Sequence, residues 1–147
     1  MKPSHLTPNL ILDTLRVEDA PVLAELMNRP DWPDGPGDRD IKTEEDARNY
    51  VREIDESPLH HYWLVKQKEP FAIIGVVTFT KRAYLDHFDI GFEFLSEFTR
   101  DEYAIEAVTA VLEDVMHDPR HSHILAIEKQ DNPGSKRILE KLGFSCS

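Results

Sequence analysis

Three β-rich runs follow one another through the middle of the chain: His60–Gln67 (HHYWLVKQ), Phe71–Thr80 (FAIIGVVTFT) and His87–Leu95 (HFDIGFEFL). Each is dense in branched and aromatic residues, and only Lys68-Glu69-Pro70 separates the first two, which reads as an antiparallel hairpin. Gly75 within the second run is expected to mark a bulge. Soon after the third comes Glu102 to His117, where Ala104, Ala107, Val108, Val111, Leu112 and Val115 recur at helical spacing and form one broad apolar face. A sheet with such a helix packed on it constrains the remainder of the chain to a layered α/β arrangement.

The flanks fit that arrangement. Asn9 to Arg16 is rich in strand formers, and Glu18 to Asn28 carries Val22, Leu23, Leu26 and Met27 at helical spacing, with Pro21 in its first turn. Arg29 to Asp40 (RPDWPDGPGDRD) is a loop by its prolines, glycines and aspartates, and it holds Trp32. Thr43 then opens a second helix with the capping box Thr43-Glu44-Glu45-Asp46, and Ala47, Tyr50, Val51 and Ile54 form its buried stripe. His123 to Glu128 reads as a further strand. Asn132-Pro133 begins a last helix, which Gly143 is placed to end near Leu142. The expected order is β-α-α-β-β-β-α-β-α, one domain over residues 1–147.

The formal net charge of −11 disfavours a nucleic-acid partner, because affinity for a phosphodiester backbone rests on clustered Lys and Arg. It suits a cationic substrate and equally serves solubility. No stretch approaches the roughly 18 apolar residues of a membrane span, so no membrane partner is expected. The single cysteine, Cys146, allows no internal disulfide, and a cytoplasmic location is expected. There is no G-x-S-x-G elbow, no G-x-x-x-x-G-K-[ST] loop and no G-x-G-x-x-G. His117, His121 and His123 lie close together without a cysteine to complete a ligand set, and no metal is expected.

Two segments carry a resemblance: Asp89-Ile-Gly-Phe-Glu-Phe-Leu-Ser-Glu-Phe-Thr-Arg-Asp-Glu-Tyr-Ala-Ile-Glu-Ala107 and Asn132-Pro-Gly-Ser-Lys-Arg-Ile-Leu-Glu-Lys-Leu-Gly-Phe144. With Glu18-Asp19-Ala20 and Thr43-Glu44-Glu45-Asp46-Ala47 they resemble the GNAT acetyltransferase superfamily, in particular the ribosomal-protein N-terminal acetyltransferase subgroup. The resemblance spans about residues 9–144. It implies a mixed central sheet flanked by helices, with the strand at 87–95 in its middle and splayed from the strand at 123–128. In the family the pantetheine arm of acetyl-coenzyme A lies in that gap, here pairing with the backbone of Phe94 and Leu95. The pyrophosphate sits at the start of the next helix, where free N–H groups and the dipole favour an anion.

The family's Q/R-x-x-G-x-G/A stretch corresponds here to Thr99, Arg100, Asp101, Glu102, Tyr103 and Ala104, the implied cofactor-binding residues. Ala104 fits the pattern. Thr99 departs from it, and Glu102 stands where a glycine is expected, so two carboxylates lie where a pyrophosphate docks and the loop reads as degenerate. Acidic residues in a first helical turn also complement the dipole of any helix, and Arg100 could turn toward the phosphate. Asn132 and Ser135 match the family's Asn-x-x-Ser/Ala, although both also suit ordinary helix capping. Leu139 stands where many relatives have a tyrosine acid, which leaves Ser135 as the implied proton donor. Glu93 is the candidate base, on the strand face opposite Phe92 and Phe94, and the alternative for it is an exposed strand face. Asp89 is the second choice.

The resemblance implies acetyl transfer from acetyl-coenzyme A to a primary amine: a protein N-terminus, a lysine or a small amine. The alternative is a weakened domain that serves as a binding or dimerisation module. Relatives continue past Leu-Gly-Phe with a final strand, expected here to be missing: either the chain is cut short, or a second copy, in a homodimer, covers the open edge.

Overall fold

The computed structural model describes residues 4–28, 43–81, 86–95, 101–118, 121, 123–126 and 133–144. Two N-terminal strands, β1 (Ser4–Leu6) and β2 (Leu10–Thr14), lead through a single 3-10 turn, Val17–Asp19, into α1 (Ala20–Met27). After α2 (Glu44–Glu56) come β3 (His60–Gln67), β4 (Ala72–Thr80), β5 (Asp89–Phe94), α3 (Asp101–Val115) and α4 (Pro133–Lys141). The strands form one sheet in the order β1-β2-β3-β4-β5, each antiparallel to the next. Beyond β5, Leu125 joins Asp89 in a single parallel bridge, with Ile90 N–H donating to Leu125 O at 2.8 Å and Leu125 N–H to Phe88 O at 3.0 Å. That bridge is the parallel part of the sheet, and it places β5 between β4 and the later segment.

The two sheet faces have different covers. Leu12, Val65, Val77, Phe79 and Ile90 pack against Ala104, Ala107, Val108 and Val111 of α3 and Ile138 of α4. The small residues of α3 let its backbone approach the sheet closely. On the opposite face Leu64, Val76 and Leu95 meet Leu23 and Leu26 of α1 and Ala47, Val51 and Ile54 of α2. Period-two alternation assigns each residue to its layer.

Local signals act as expected at several places. Thr43 caps α2 reciprocally, its hydroxyl accepting from Asp46 N–H and its own N–H donating to the Asp46 carboxylate, each at 3.1 Å. Gly143 takes φ +94° just past α4, and Phe144 N–H closes back on Leu139 O at 3.0 Å, a left-handed helix stop. In the hairpin, Val65 pairs with Gly75 but Lys66 with Ile73, so Ile74 is the extra residue of a bulge that Gly75 borders.

Three elements differ from the sequence-based expectation. β1 has no counterpart there. It is three residues long with only His5 buried, too short to register as a pattern. The first helix is preceded by its own 3-10 turn. Of the strand expected at 123–128, the described residues show the bridge at Leu125, while 127–130 lie outside the described residues, as does the expected splay. Trp32 and its loop also lie outside them.

The candidate active site around β5

β5 carries the densest set of candidate residues, and its geometry follows from strand alternation. Ile90, Phe92 and Phe94 turn their side chains toward the α3 side, and Asp89, Gly91, Glu93 and the following Leu95 toward the α2 side. Glu93 is half-buried opposite Val76, and Asp89 is buried, 2% exposed, opposite Thr80. The expected division, with Glu93 and Gly91 facing away from Phe92, therefore holds, and Glu93 is neither a core residue nor fully in solvent.

Backbone groups alternate as well. Ile90 donates its N–H away from β4, to Leu125, whereas Leu95 donates toward β4, to Ile74 O at 2.9 Å. By the same alternation Phe92 and Phe94 direct their N–H and C=O groups to the edge away from β4, and Glu93 directs its groups into the ladder. This refines the sequence reading: Phe94 presents backbone at the outer edge, but the N–H of Leu95 already bonds Ile74. Phe92, which the sequence reading did not nominate, shares the orientation of Phe94.

Gly75 holds β4 against this stretch. A Cβ there would stand 2.3 Å from Glu93 O, 2.6 Å from Phe94 Cδ1 and 3.0 Å from Phe94 Cα. Only a residue without a side chain lets the Phe94 ring lie across β4 while Leu95 bonds the bulged Ile74.

Glu102, Tyr103 and Ala104 fall in the first turn of α3, close behind β5 in sequence. Glu102 is exposed, Tyr103 half-buried and Ala104 buried against the sheet. Asp101 begins the helix. Thr99, Arg100 and Asn132 lie outside the described residues, and Ser135 belongs to the backbone of α4. Leu139, which stands where many relatives have a tyrosine, is buried, so it serves packing. The structure thus sets Glu93, Phe94 and Leu95 on one strand and Glu102 to Ala104 on the helix that follows it.

A polar layer lies beside Glu93 on the α2 side. In the strand register Tyr62 of β3, Thr78 of β4 and Gly91 of β5 form one row across the sheet. The Tyr62 hydroxyl is 3.1 Å from that of Tyr50 on α2, with the rings edge to face at 6.2 Å. A cleft of about 540 Å³ opens where α2 ends, lined by Thr14, Ile54, Ser57, His60, Tyr62 and Trp63 among others. Sequence reasoning placed Tyr50 in a buried stripe and gave Tyr62 and Thr78 no role. The register that aligns them spans three strands and leaves no local sequence signal.

Of the three clustered histidines, His121 and His123 make ring contacts and His117 is exposed. His121 packs edge-on to Phe79 at 5.0 Å and to Phe88 at 4.9 Å, and His61 stacks on Trp63 at 6.4 Å. Burial beside these rings pushes the His61 imidazole below its ordinary value of 6.5, against a raising contribution from the Pro58 backbone. Among the described residues, no group of three or more His, Cys, Asp or Glu is placed to hold a metal ion.

Against this geometry the comparisons with known proteins are specific. The family model described as "Acetyltransferase (GNAT) domain" matches residues 9–145. The chain is a GNAT acetyltransferase domain. The fold agrees with solved members of that family. A Bordetella pertussis protein assigned to the GnaT family superposes with a TM-score of 0.82 at 18% identity, covering 98% of this chain and 89% of that one. RimL, a ribosomal L7/L12 α-N-protein acetyltransferase in complex with coenzyme A, gives 0.80 at 15% identity, covering 96% and 82%. The ribosomal-protein-S5-alanine acetyltransferase of Vibrio fischeri gives 0.77 at 22% identity, covering 98% and 84%. No curated protein sequence matches this GNAT domain significantly. Among the described residues, no helix is long and apolar enough to cross a membrane.

Proposed function

We propose that this GNAT domain transfers the acetyl group of acetyl-coenzyme A to a primary amine, by direct attack with both substrates bound. The observation that carries the reading is the outward-facing backbone of Phe92 and Phe94 on a strand whose other edge is fixed by β4, with Glu93 half-buried on the α2 side of the same strand. An extended amide-bearing arm suits such an edge, because strand backbone offers donors and acceptors at regular spacing. The first turn of α3, with Ala104 buried beneath it, would hold the pyrophosphate, and the Arg100 charge is assigned to offset Asp101 and Glu102.

Acetyl-coenzyme A supplies an activated thioester. Glu93 accepts a proton from the ammonium, directly or through one water, so that nitrogen presents a lone pair. The new N–C bond forms as the C–S bond breaks; the Ser135 hydroxyl is assigned the proton delivered to the departing sulfur, and the second proton lost by the nitrogen replaces it. The acidic chain suits a cationic acceptor such as a protein N-terminus, a lysine or a small amine. The domain is taken to extend over residues 1–147 and to work in the cytoplasm.

A second reading rests on one residue. Glu102 is exposed in the α3 first turn at the position of the family's glycine, which favours a domain that binds a partner or a second copy and has lost acyl transfer. Acetyl transfer by the wild-type protein separates the two, and Glu93→Gln tests the assigned base. Under the enzyme reading it lowers kcat by roughly 10²–10⁴-fold and leaves the acetyl-coenzyme A Kd unchanged. Equal rates in the two proteins would remove Glu93 from the reaction.

A further inference from the structure

On the α3 face of β5, Ile90 and Phe94 are buried among Ala104, Ala107 and Val108, with Phe92 half-buried between them. The α2 face is not filled in the same way. Along the row Tyr62–Thr78–Gly91 every residue is half-buried, in contrast to the adjacent fully buried Trp63, Val77 and Ile90. Neighbouring strands lie about 4.8 Å apart, so this row extends roughly 10 Å across the sheet between Tyr62 and Gly91. It runs from the cleft at the end of α2, which Tyr62 lines, to the residue two before Glu93.

The row has one constriction. A Cβ on Gly91 would lie 2.7 Å from the Thr78 hydroxyl oxygen, the one contact within 4 Å among the described residues beyond its chain neighbours. The Thr78 hydroxyl therefore leans over Gly91 and occupies the space a side chain there would need. At the other end the Tyr50 and Tyr62 hydroxyls, hydrogen-bonded at 3.1 Å, tie α2 to the strand. The row thus carries hydroxyl groups at Tyr62 and Thr78 and a glycine at the end nearest Glu93.

Resting on the acetyltransferase reading, we infer that a lane over this row receives the acceptor amine, and that Thr78 and Gly91 set the width available to the carbon bearing the nitrogen. Hydroxyl oxygens accept hydrogen bonds from an ammonium group, and the two along this row, Tyr62 and Thr78, suit a primary amine on a narrow chain better than an apolar acceptor. Thr78 is a specificity-determining residue and Glu93 the base beside it. A methyl group on residue 91 displaces the Thr78 side chain into the lane, since its branched carbon has few alternative rotamers. The clash is with a side-chain tip, so the strand itself is not forced to move.

The test measures acetyl transfer to two probes, spermidine, whose reacting carbon is unbranched, and an alanine-initiated peptide amide, whose reacting carbon is branched. Gly91→Ala is expected to raise KM at least tenfold for the peptide and less for spermidine, with the acetyl-coenzyme A Kd from calorimetry unchanged. Thr78→Ala in the same chain removes the clashing oxygen and is expected to restore KM. Thr78→Ala alone, which keeps the fold even if the first variant does not, is expected to lower KM for the peptide relative to spermidine. Unchanged KM ratios in the active variants overturn the lane while leaving the acetyltransferase reading in place. A wild-type protein that binds acetyl-coenzyme A and acetylates neither probe also overturns the lane as the amine site, and one that fails to bind it overturns the reading beneath.

Discussion

Gly75→Ala is the substitution whose cost the structure fixes most closely. The added methyl carbon would stand 2.3 Å from Glu93 O and 3.0 Å from Phe94 Cα, whereas ordinary contact begins near 3.4 Å. Backbone must therefore shift by about 1 Å, or the Phe94 ring must leave its place while β4 and β5 separate. Overpacking of this kind costs typically 1–3 kcal/mol, and obstruction by main chain argues for the upper end, about 3 kcal/mol. For a chain of 147 residues that corresponds to a Tm lower by roughly 6–12 °C and a urea midpoint lower by about 1–2 M. Gly91→Ala is the internal comparison, because among the described residues it meets the Thr78 hydroxyl and no main chain, and its loss is expected to stay under about 1 kcal/mol. If Gly75→Ala unfolds within about 0.5 kcal/mol of the wild type, the strands part without cost and the contact argument fails. Under the proposed function it also weakens acetyl-coenzyme A binding, since the Phe94 backbone is displaced.

Three further outcomes are expected. Glu106 on α3 accepts from the Thr7 hydroxyl and, at 2.9 Å each, from the Asn9 backbone and amide, and these bonds outweigh partial burial to hold its carboxyl below 4.5. Its contribution is present above pH 4.5 and lost as pH falls through the lowered folded value, so Glu106→Ala should cost about 1 kcal/mol at pH 7 and converge on the wild type in acid urea titrations. His61, depressed below 6.5 by burial, favours the folded state fully above pH 6.5 and loses that contribution as pH falls toward its folded value; His61→Asn should flatten the drop in Tm between pH 7 and 5, and an unaltered slope would contradict this. Glu102→Gly, by removing an exposed carboxylate from the α3 first turn, should tighten acetyl-coenzyme A binding on the order of tenfold or more, less so in 1 M salt, and an unchanged Kd would show that the turn already accommodates phosphate.

Much of this fold was legible because its signals are local. The α2 capping box, the hairpin turn, the α3 apolar face and the Gly143 stop each lie within a few residues, and all four form as the sequence indicates. β1 was not legible. Its turn is clamped by Glu106, 99 residues from Thr7, and its His5 bonds Asp114 at 2.9 Å, 109 residues away, so nothing within a short window marks it. The same reason divides the candidate site. Alternation in HFDIGFEFL sufficed to separate Glu93 from Phe92 and Phe94, a property of one strand. The Leu95 bond to Ile74 follows from the bulge register between β3 and β4, and the Tyr62–Thr78–Gly91 row from three strands together, so neither could be read from one segment.

Isothermal titration of the wild-type protein with acetyl-coenzyme A tests the central claim most directly. The account predicts saturable binding of one molecule per chain, strengthened by Glu102→Gly and unchanged by Glu93→Gln. No heat of binding at millimolar acetyl-coenzyme A, in a protein that is folded by its thermal transition and still silent when Glu102 is glycine, would contradict acetyl transfer as its function.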